Sequence, residues 1–241
     1  MHGINPFDLS IIRFVQTFSQ DDPVLDALVA EIARNSLLHG GVIMATFWWL
    51  WARSDDRQQE RRESLVFALF ASILAIFLAR ALALSLPFRA RPMNNPLIAF
   101  QFPYSADPTT MIGWSSFPSD HAVLFFCFAA CLWTISKRLG LLAFCHALFV
   151  VCLPLIYFGN HYPTDIVAGA LLGMGVAFLS KIVPLRRIVT RPALRWLDTH
   201  PASANAFLFL CSFEIAELFD SLRHIALSSY HSAEIALQTL R

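Results

Sequence analysis

Five apolar runs constrain this chain more than any other feature. They cover residues 36–52, 64–88, 121–135, 141–158 and 166–179. The second, from Ser64 to Phe88, is long enough to cross a hydrocarbon core of about 30 Å with some tilt. Hydrophobic residues make up 56% of the 241 and charged residues only 15%, where a soluble domain is nearer half apolar and about a quarter charged. The remaining cations cluster in short polar connections: Arg53, Arg57, Arg61 and Arg62; Lys137 and Arg138; then Lys181, Arg186, Arg187, Arg191 and Arg195. Alternation of spans puts these three groups on one side, and the bias of Lys and Arg toward cytoplasmic loops makes that side the cytoplasm. Residues 89–119 and 159–165 then fall together on the external face. Trp48, Trp49 and Trp51 crowd the end of the first run as interfacial anchors.

Asn5-Pro6 and Asp22-Pro23 each read as an N-cap followed by proline at the first helical position. Phe7, Ile11, Phe14 and Phe18 follow the first at helical spacing, and Leu25, Leu28, Val29 and Ile32 follow the second. Both segments carry too much charge to span, so they are expected to lie at the interface as amphipathic helices. Residues 203–220 allow two readings. The first is an amphipathic cytoplasmic helix, because Glu214, Glu217 and Asp220 interrupt it; the alternative is a sixth span. Leu222, Ile225 and Ala226 continue its helical spacing. Cys127, Cys131, Cys145, Cys152 and Cys211 lie in apolar surroundings without metal-ligand spacing and read as small core residues. The start of the chain lacks the basic segment and apolar core of a signal peptide. A net charge of +1 makes no case for a nucleic-acid partner.

The expectation is an all-α integral membrane bundle with about five clear transmembrane helices, possibly six, plus the interfacial N-terminal helices. It divides into 1–35, a membrane core at 36–184, and a cytoplasmic or amphipathic segment at 185–241.

Chemistry is concentrated at the external ends of the spans. Trp114-Ser-Ser-Phe-Pro-Ser-Asp-His121 opens the third run. Pro118 at the first helical position would turn the N–H groups of Ser119, Asp120 and His121 out of the helix end, which favours an anion. Arg89 and Arg91 flank Ala90 just past the second run, where two guanidinium forks can meet one phosphate. Asn160-His-Tyr-Pro-Thr-Asp165 opens the fifth run. There Asp165 is placed to accept from Nδ1 of His161 and leave Nε2 free to attack, with His121 able to protonate a leaving oxygen.

The order Arg-x-Arg-Pro, Phe-Pro-Ser-x-His, Gly-x-His-Tyr-Pro-Thr-Asp resembles the three-part signature of the type 2 phosphatidic acid phosphatase family, over roughly residues 64–184. The resemblance implies a membrane lipid phosphatase working without metal or other cofactor through a phosphohistidine. In it His161 is the nucleophile, Asp165 its orienter and His121 the general acid. Arg91 and Ser119 hold phosphate, with Arg89 as an additional arginine and Asp120 inside the phosphate-binding turn. The implied substrate is a phosphomonoester or pyrophosphate of a lipid, a polyprenyl pyrophosphate first among them. A lipid phosphotransferase and a catalytically weakened lipid-phosphate binder are the alternatives. The chain departs from the signature at Leu84 and Leu155, where the family carries a lysine and an arginine, and at Asp120, where it carries glycine.

Overall fold

The structure, a computed structural model, describes residues 4–19, 22–106 and 111–221. Leu222, Ile225 and Ala226 lie outside the described residues. Every regular element among those described is helical. Asn5 caps α1 (Pro6–Gln16), its Oδ1 accepting from Phe7 N at 3.0 Å; Asp22 caps α2 (Pro23–Arg34), accepting from Val24 N at 2.8 Å. A π turn at Leu37–Gly41 leads into α3 (Val42–Ala52). Then come α4 (Gln58–Ser85), α5 (Asp120–Ile135) and α6 (Lys137–His146), which passes through a π stretch into α7 (Leu153–Tyr157). The chain continues with α8 (Pro163–Phe178), α9 (Val183–Thr199) and α10 (Pro201–Ala216).

The protein is a multi-pass membrane bundle. The helices Gln58–Ser85, Lys137–Tyr157 and Pro163–Lys181 are long and apolar enough to cross a bilayer; Leu37–Ala52, Asp120–Ile135 and Pro201–Ala216 are apolar but shorter. Sixteen residues of helix rise only about 24 Å, less than a hydrocarbon core of about 30 Å. α5 is thus too short to cross alone, and the chain entering it lies inside protein: Ser116 and Ser119 are both fully buried.

α5 is the central helix, packed on α4, α6 and α8. Val123, Leu124, Phe128 and Leu132 meet Leu65, Ala68, Ala71 and Ala75 of α4 in one apolar core. Two glycines bring α8 against α5. A Cβ on Gly173 would stand 2.1 Å from the Val123 carbonyl oxygen, and one on Gly169 would stand 2.7 Å from that of Ser119. Small residues four apart let helix backbones touch, which in lipid is a main source of helix association.

The loops gather at two ends. At one, Arg61 donates to the Leu50 carbonyl at 2.9 Å and to Asp55 at 2.8 Å, and Arg186 meets Glu63 at 3.1 Å. At the other, Ser116 N donates to the Arg89 carbonyl at 2.9 Å and Met93 N to that of Gly159 at 3.0 Å. The basic loops and the motif loops thus occupy opposite ends.

Several expectations change. α4 begins at Gln58, inside the stretch read as a polar loop, because Arg61 folds back onto the carbonyls that end α3. In α1 the phenylalanines face outward, as in an interfacial helix, with Phe14 65% exposed, but the opposite face, which the sequence reading did not single out, is buried in protein at Asp8, Ile12 and Val15. Pro118 precedes the cap of α5 instead of opening the helix; Ser119 is the N-cap, and the Phe117–Pro118 peptide is cis. Segment 203–220, read first as a cytoplasmic amphipathic helix, packs along the flank of the bundle with one face buried against α3, α4 and α9. Trp51 Nε1 donates to Asn205 at 3.2 Å near the start of α10, and Trp48 Nε1 donates to Ser212 at 3.1 Å. Gly40 lies against Ala216 at the far end. α10 is therefore antiparallel to α3 over its length. Its acids do not interrupt it, because Glu214 lies in the last turn and Glu217 and Asp220 lie past it.

Replacing Gly173 by Leu is expected to destabilise the fold by about 1–3 kcal/mol or more through overpacking, while Gly175→Leu, whose Cβ meets nothing within 4 Å, is neutral. Thermal unfolding of the two variants in detergent measures the difference.

Candidate active site

Four short segments build the site, each held by the backbone of another. The Ser119 N–H donates to the Asp165 carbonyl at 3.3 Å, so the starts of α5 and α8 stand side by side. The His161 N–H donates to the Leu155 carbonyl at 3.2 Å, closing the turn between α7 and α8. Leu155, where the resemblance expects arginine, is a buried apolar residue whose carbonyl shapes this turn.

His161 is 5% exposed, and its partners decide its tautomer. Nδ1 lies 2.7 Å from the Ser116 carbonyl oxygen, which can only accept, so Nδ1 carries the proton. Nε2 then presents its lone pair, 3.3 Å from Nη1 of Arg91, which can only donate. The carboxylate of Asp165 stands 3.7 Å from Nδ1, so the contact at hydrogen-bond length is the Ser116 carbonyl and not the aspartate. Asp165 Oδ2 instead accepts from Tyr162 N at 2.8 Å, and Oδ1 pairs with Arg89. The aspartate holds the peptide next to the histidine and only indirectly the ring.

The two arginines separate. Arg91 is buried, donates to the Asn160 carbonyl at 2.7 Å, and has a buried Nε with no hydrogen-bond partner. Burial draws its guanidinium down from the usual value, opposed by Asp120 and Asp165. Arg89 points the other way. It pairs with Asp165, meets Asp8 at 2.8 Å and Thr164 Oγ1 at 3.0 Å, and lies 3.9 Å over the Tyr162 ring. These contacts tie Arg89 to the start of α8 and to α1, and it is not among the residues lining the cavity that holds His161, where the sequence expectation had it binding phosphate.

Asp8 is the residue that sequence reading missed. Fully buried, it also accepts from Thr164 N at 2.8 Å and Thr164 Oγ1 at 2.7 Å. It ties α1 to the start of α8, so α1 belongs to the bundle as well as to its surface. The available signal was spacing: Asp8 is in register with Ile12 and Val15, on the face that the outward phenylalanines leave for protein.

Ser119 Oγ accepts from Ala122 N at 3.4 Å and keeps a hydroxyl proton to donate. His121 lies in the first turn of α5, its ring 6.3 Å from that of His39 and nearly perpendicular to it. Asp120 pairs with Arg80, whose guanidinium sits 5.1 Å over the Trp114 ring. Arg80, Arg91, Asp120, His121 and His161 share a cavity of about 640 Å³ whose other walls include Ile76, Trp114, Leu218 and Phe219. The lining combines two arginines, two histidines and two aspartates, Asp120 and Asp220, with apolar side chains. Among the described residues, no three His, Cys, Asp or Glu side chains come together in a way that could hold a metal ion.

Replacing Asp8 by Ala strips two neutral donors and one guanidinium contact from a buried carboxylate site, and is expected to lower stability by about 1–3 kcal/mol. A thermal melt of the purified variant checks this.

Similarity to known proteins agrees with this architecture. The chain is 27% identical over 177 residues to the bacitracin transport permease protein BcrC of Bacillus licheniformis, covering 71% of this chain and 78% of that protein. It is 28% identical over 181 residues to the putative undecaprenyl-diphosphatase YbjG of Escherichia coli strain K12, covering 69% and 77%. Its fold matches the crystal structure of Aquifex aeolicus LpxE with a TM-score of 0.51 at 22% identity, over 74% of this chain and 96% of that one. The PAP2 superfamily pattern matches residues 7–179, a span that begins in α1 and ends just past α8. With the match covering most of the chain and all four segments of the site, the protein belongs to the PAP2 superfamily.

Proposed function

We propose that this protein is a membrane lipid phosphatase, hydrolysing the terminal phosphate of a lipid phosphomonoester or pyrophosphate, with a polyprenyl pyrophosphate as the leading substrate. The observation that carries the reading is the tautomer of His161. A buried imidazole with its proton turned to the Ser116 carbonyl and its Nε2 lone pair beside Arg91 is a nucleophile aimed at an anion site. The unpartnered Nε of Arg91, the Ser119 hydroxyl and the positive end of α5 supply donors for that anion. The apolar residues of the lining, Ile76, Met111, Trp114, Leu218 and Phe219, suit a lipid tail. YbjG, one of the relatives, is named a putative undecaprenyl-diphosphatase.

In the proposed reaction Nε2 of His161 attacks phosphorus as the bond to the lipid oxygen breaks. The electron pair leaves with that oxygen, which His121 protonates. Water then cleaves the phosphorus–nitrogen bond and releases phosphate. Asp165 keeps the His161 peptide in place through Tyr162 N, and Arg89 keeps Asp165. The positive-inside rule places the site end on the external face of the cytoplasmic membrane, with the arginines of α9 on the cytoplasmic side.

Phosphate release by the purified protein in detergent with EDTA tests this. The panel is polyprenyl pyrophosphate, polyprenyl phosphate, phosphatidic acid and phosphatidylglycerol phosphate. Release from at least one is expected to persist in EDTA and to fall at least about a thousandfold in His161→Ala, whose nucleophile is gone. Unchanged release by a folded His161→Ala variant refutes the assignment.

A further inference from the structure

We propose that Arg80 selects diphosphates, by receiving the leaving-group phosphate beside His121; this rests on the phosphatase reading above. The cavity holds two arginines at different stations. Arg91 stands at the nucleophile, 3.3 Å from His161 Nε2. Arg80 stands at the other histidine, paired with Asp120, the residue before His121, and lining the same cavity. A phosphomonoester has a single phosphoryl group, and Arg91 meets it. Its leaving group is an alcohol oxygen that needs a proton and no cation. A diphosphate has a second phosphoryl group, and in-line attack by His161 puts it on the leaving side, toward His121 and Arg80.

The position of Arg80 follows from α4. Leu84 continues the face of α4 that carries Ile76 and Arg80, both of which line the cavity, but at 88% exposure it lies beyond the cavity's walls. Arg80 lies one helical turn earlier, so its side chain reaches the cavity from lower on the same helix. The Trp114 ring, 5.1 Å from the guanidinium carbon, backs it on one face. A guanidinium has five N–H donors in a fixed fork, so contact with Asp120 through Nη2 does not exhaust it. Asp120 contributes as well. Its carboxylate balances Arg80 when no substrate is bound, so the leaving-group station offers little to a singly phosphorylated lipid. In the reaction the bond between His161 Nε2 and the terminal phosphorus forms and the bridging phosphorus–oxygen bond breaks. The electron pair stays on the lipid monophosphate, whose charge Arg80 meets.

The test compares wild type with Arg80→Leu, Arg80→Gln and Arg80→Lys on polyprenyl diphosphate and polyprenyl monophosphate in one detergent. Loss of a charge-assisted contact is expected to lower kcat/KM for the diphosphate by about tenfold or more and for the monophosphate by less than about threefold. Arg80→Lys is expected to recover most of the diphosphate rate. Equal losses on both substrates, or a larger loss on the monophosphate, overturn the proposal and leave Arg80 a structural partner of Asp120. If Arg80→Leu does not fold, the same ratio is read from Arg80→Gln. A second measurement does not depend on turnover: inorganic pyrophosphate is expected to raise the thermal midpoint of wild type more than phosphate does, and Arg80→Gln to lose that difference. If wild type hydrolyses neither lipid, the phosphatase reading fails, and this binding comparison alone decides Arg80; no difference between wild type and variant overturns it.

Discussion

The close approach of α5 and α8 is the contact on which the rest depends. Gly169 and Gly173 remove the side chains that would hold the backbones apart, and Val123 and Ser119 present carbonyls into the space. Once the helices touch, their N-termini align, and the Ser119 N–H reaches the Asp165 carbonyl. Two histidines forty residues apart then open into one cavity. In lipid there is little hydrophobic gain from bringing helices together, so such backbone contact and the polar network at its end carry the association.

That network is layered. The inner layer is His161 between the Ser116 carbonyl and Arg91. Behind it Arg89 bridges the carboxylates of Asp165 and Asp8, and Thr164 donates to Asp8 through both its N–H and its hydroxyl. Groups this deep are costly to bury unless paired, and the pairing explains why two nearby arginines differ. Arg89 pairs directly with two buried carboxylates, while Arg91 contacts the Asn160 carbonyl and His161 and keeps an unpartnered Nε. On the far side Asp120 and Arg80 form a third pair within the cavity.

The motif residues were legible in the sequence because each sits where an apolar run meets a polar loop, and the positive-inside rule sorted those loops by side without reference to the motifs. The N-terminal caps were legible as well, since Asn5-Pro6 and Asp22-Pro23 act locally. The burial of Asp8 on the inner face of α1 was not. In water an amphipathic helix turns its phenylalanines inward. Here the surroundings of the bundle are apolar as well, so Phe7 and Phe14 face out and Asp8 faces in. The hydrophobic stripe identifies a helix but does not say which face meets protein when both sides of the boundary are greasy.

From sequence alone came the helical membrane class, the spans, their alternation and the histidines at their ends, because hydropathy and capping depend on neighbours a few residues away. The tertiary structure decided the partners: the Ser116 carbonyl on Nδ1, Arg89 paired with Asp8 and Asp165, Arg80 brought to Asp120, and α10 running back alongside α3. Each of these joins segments separated by tens of residues. Their choice rests on which helix backbones can touch, and that is set by packing across the whole bundle.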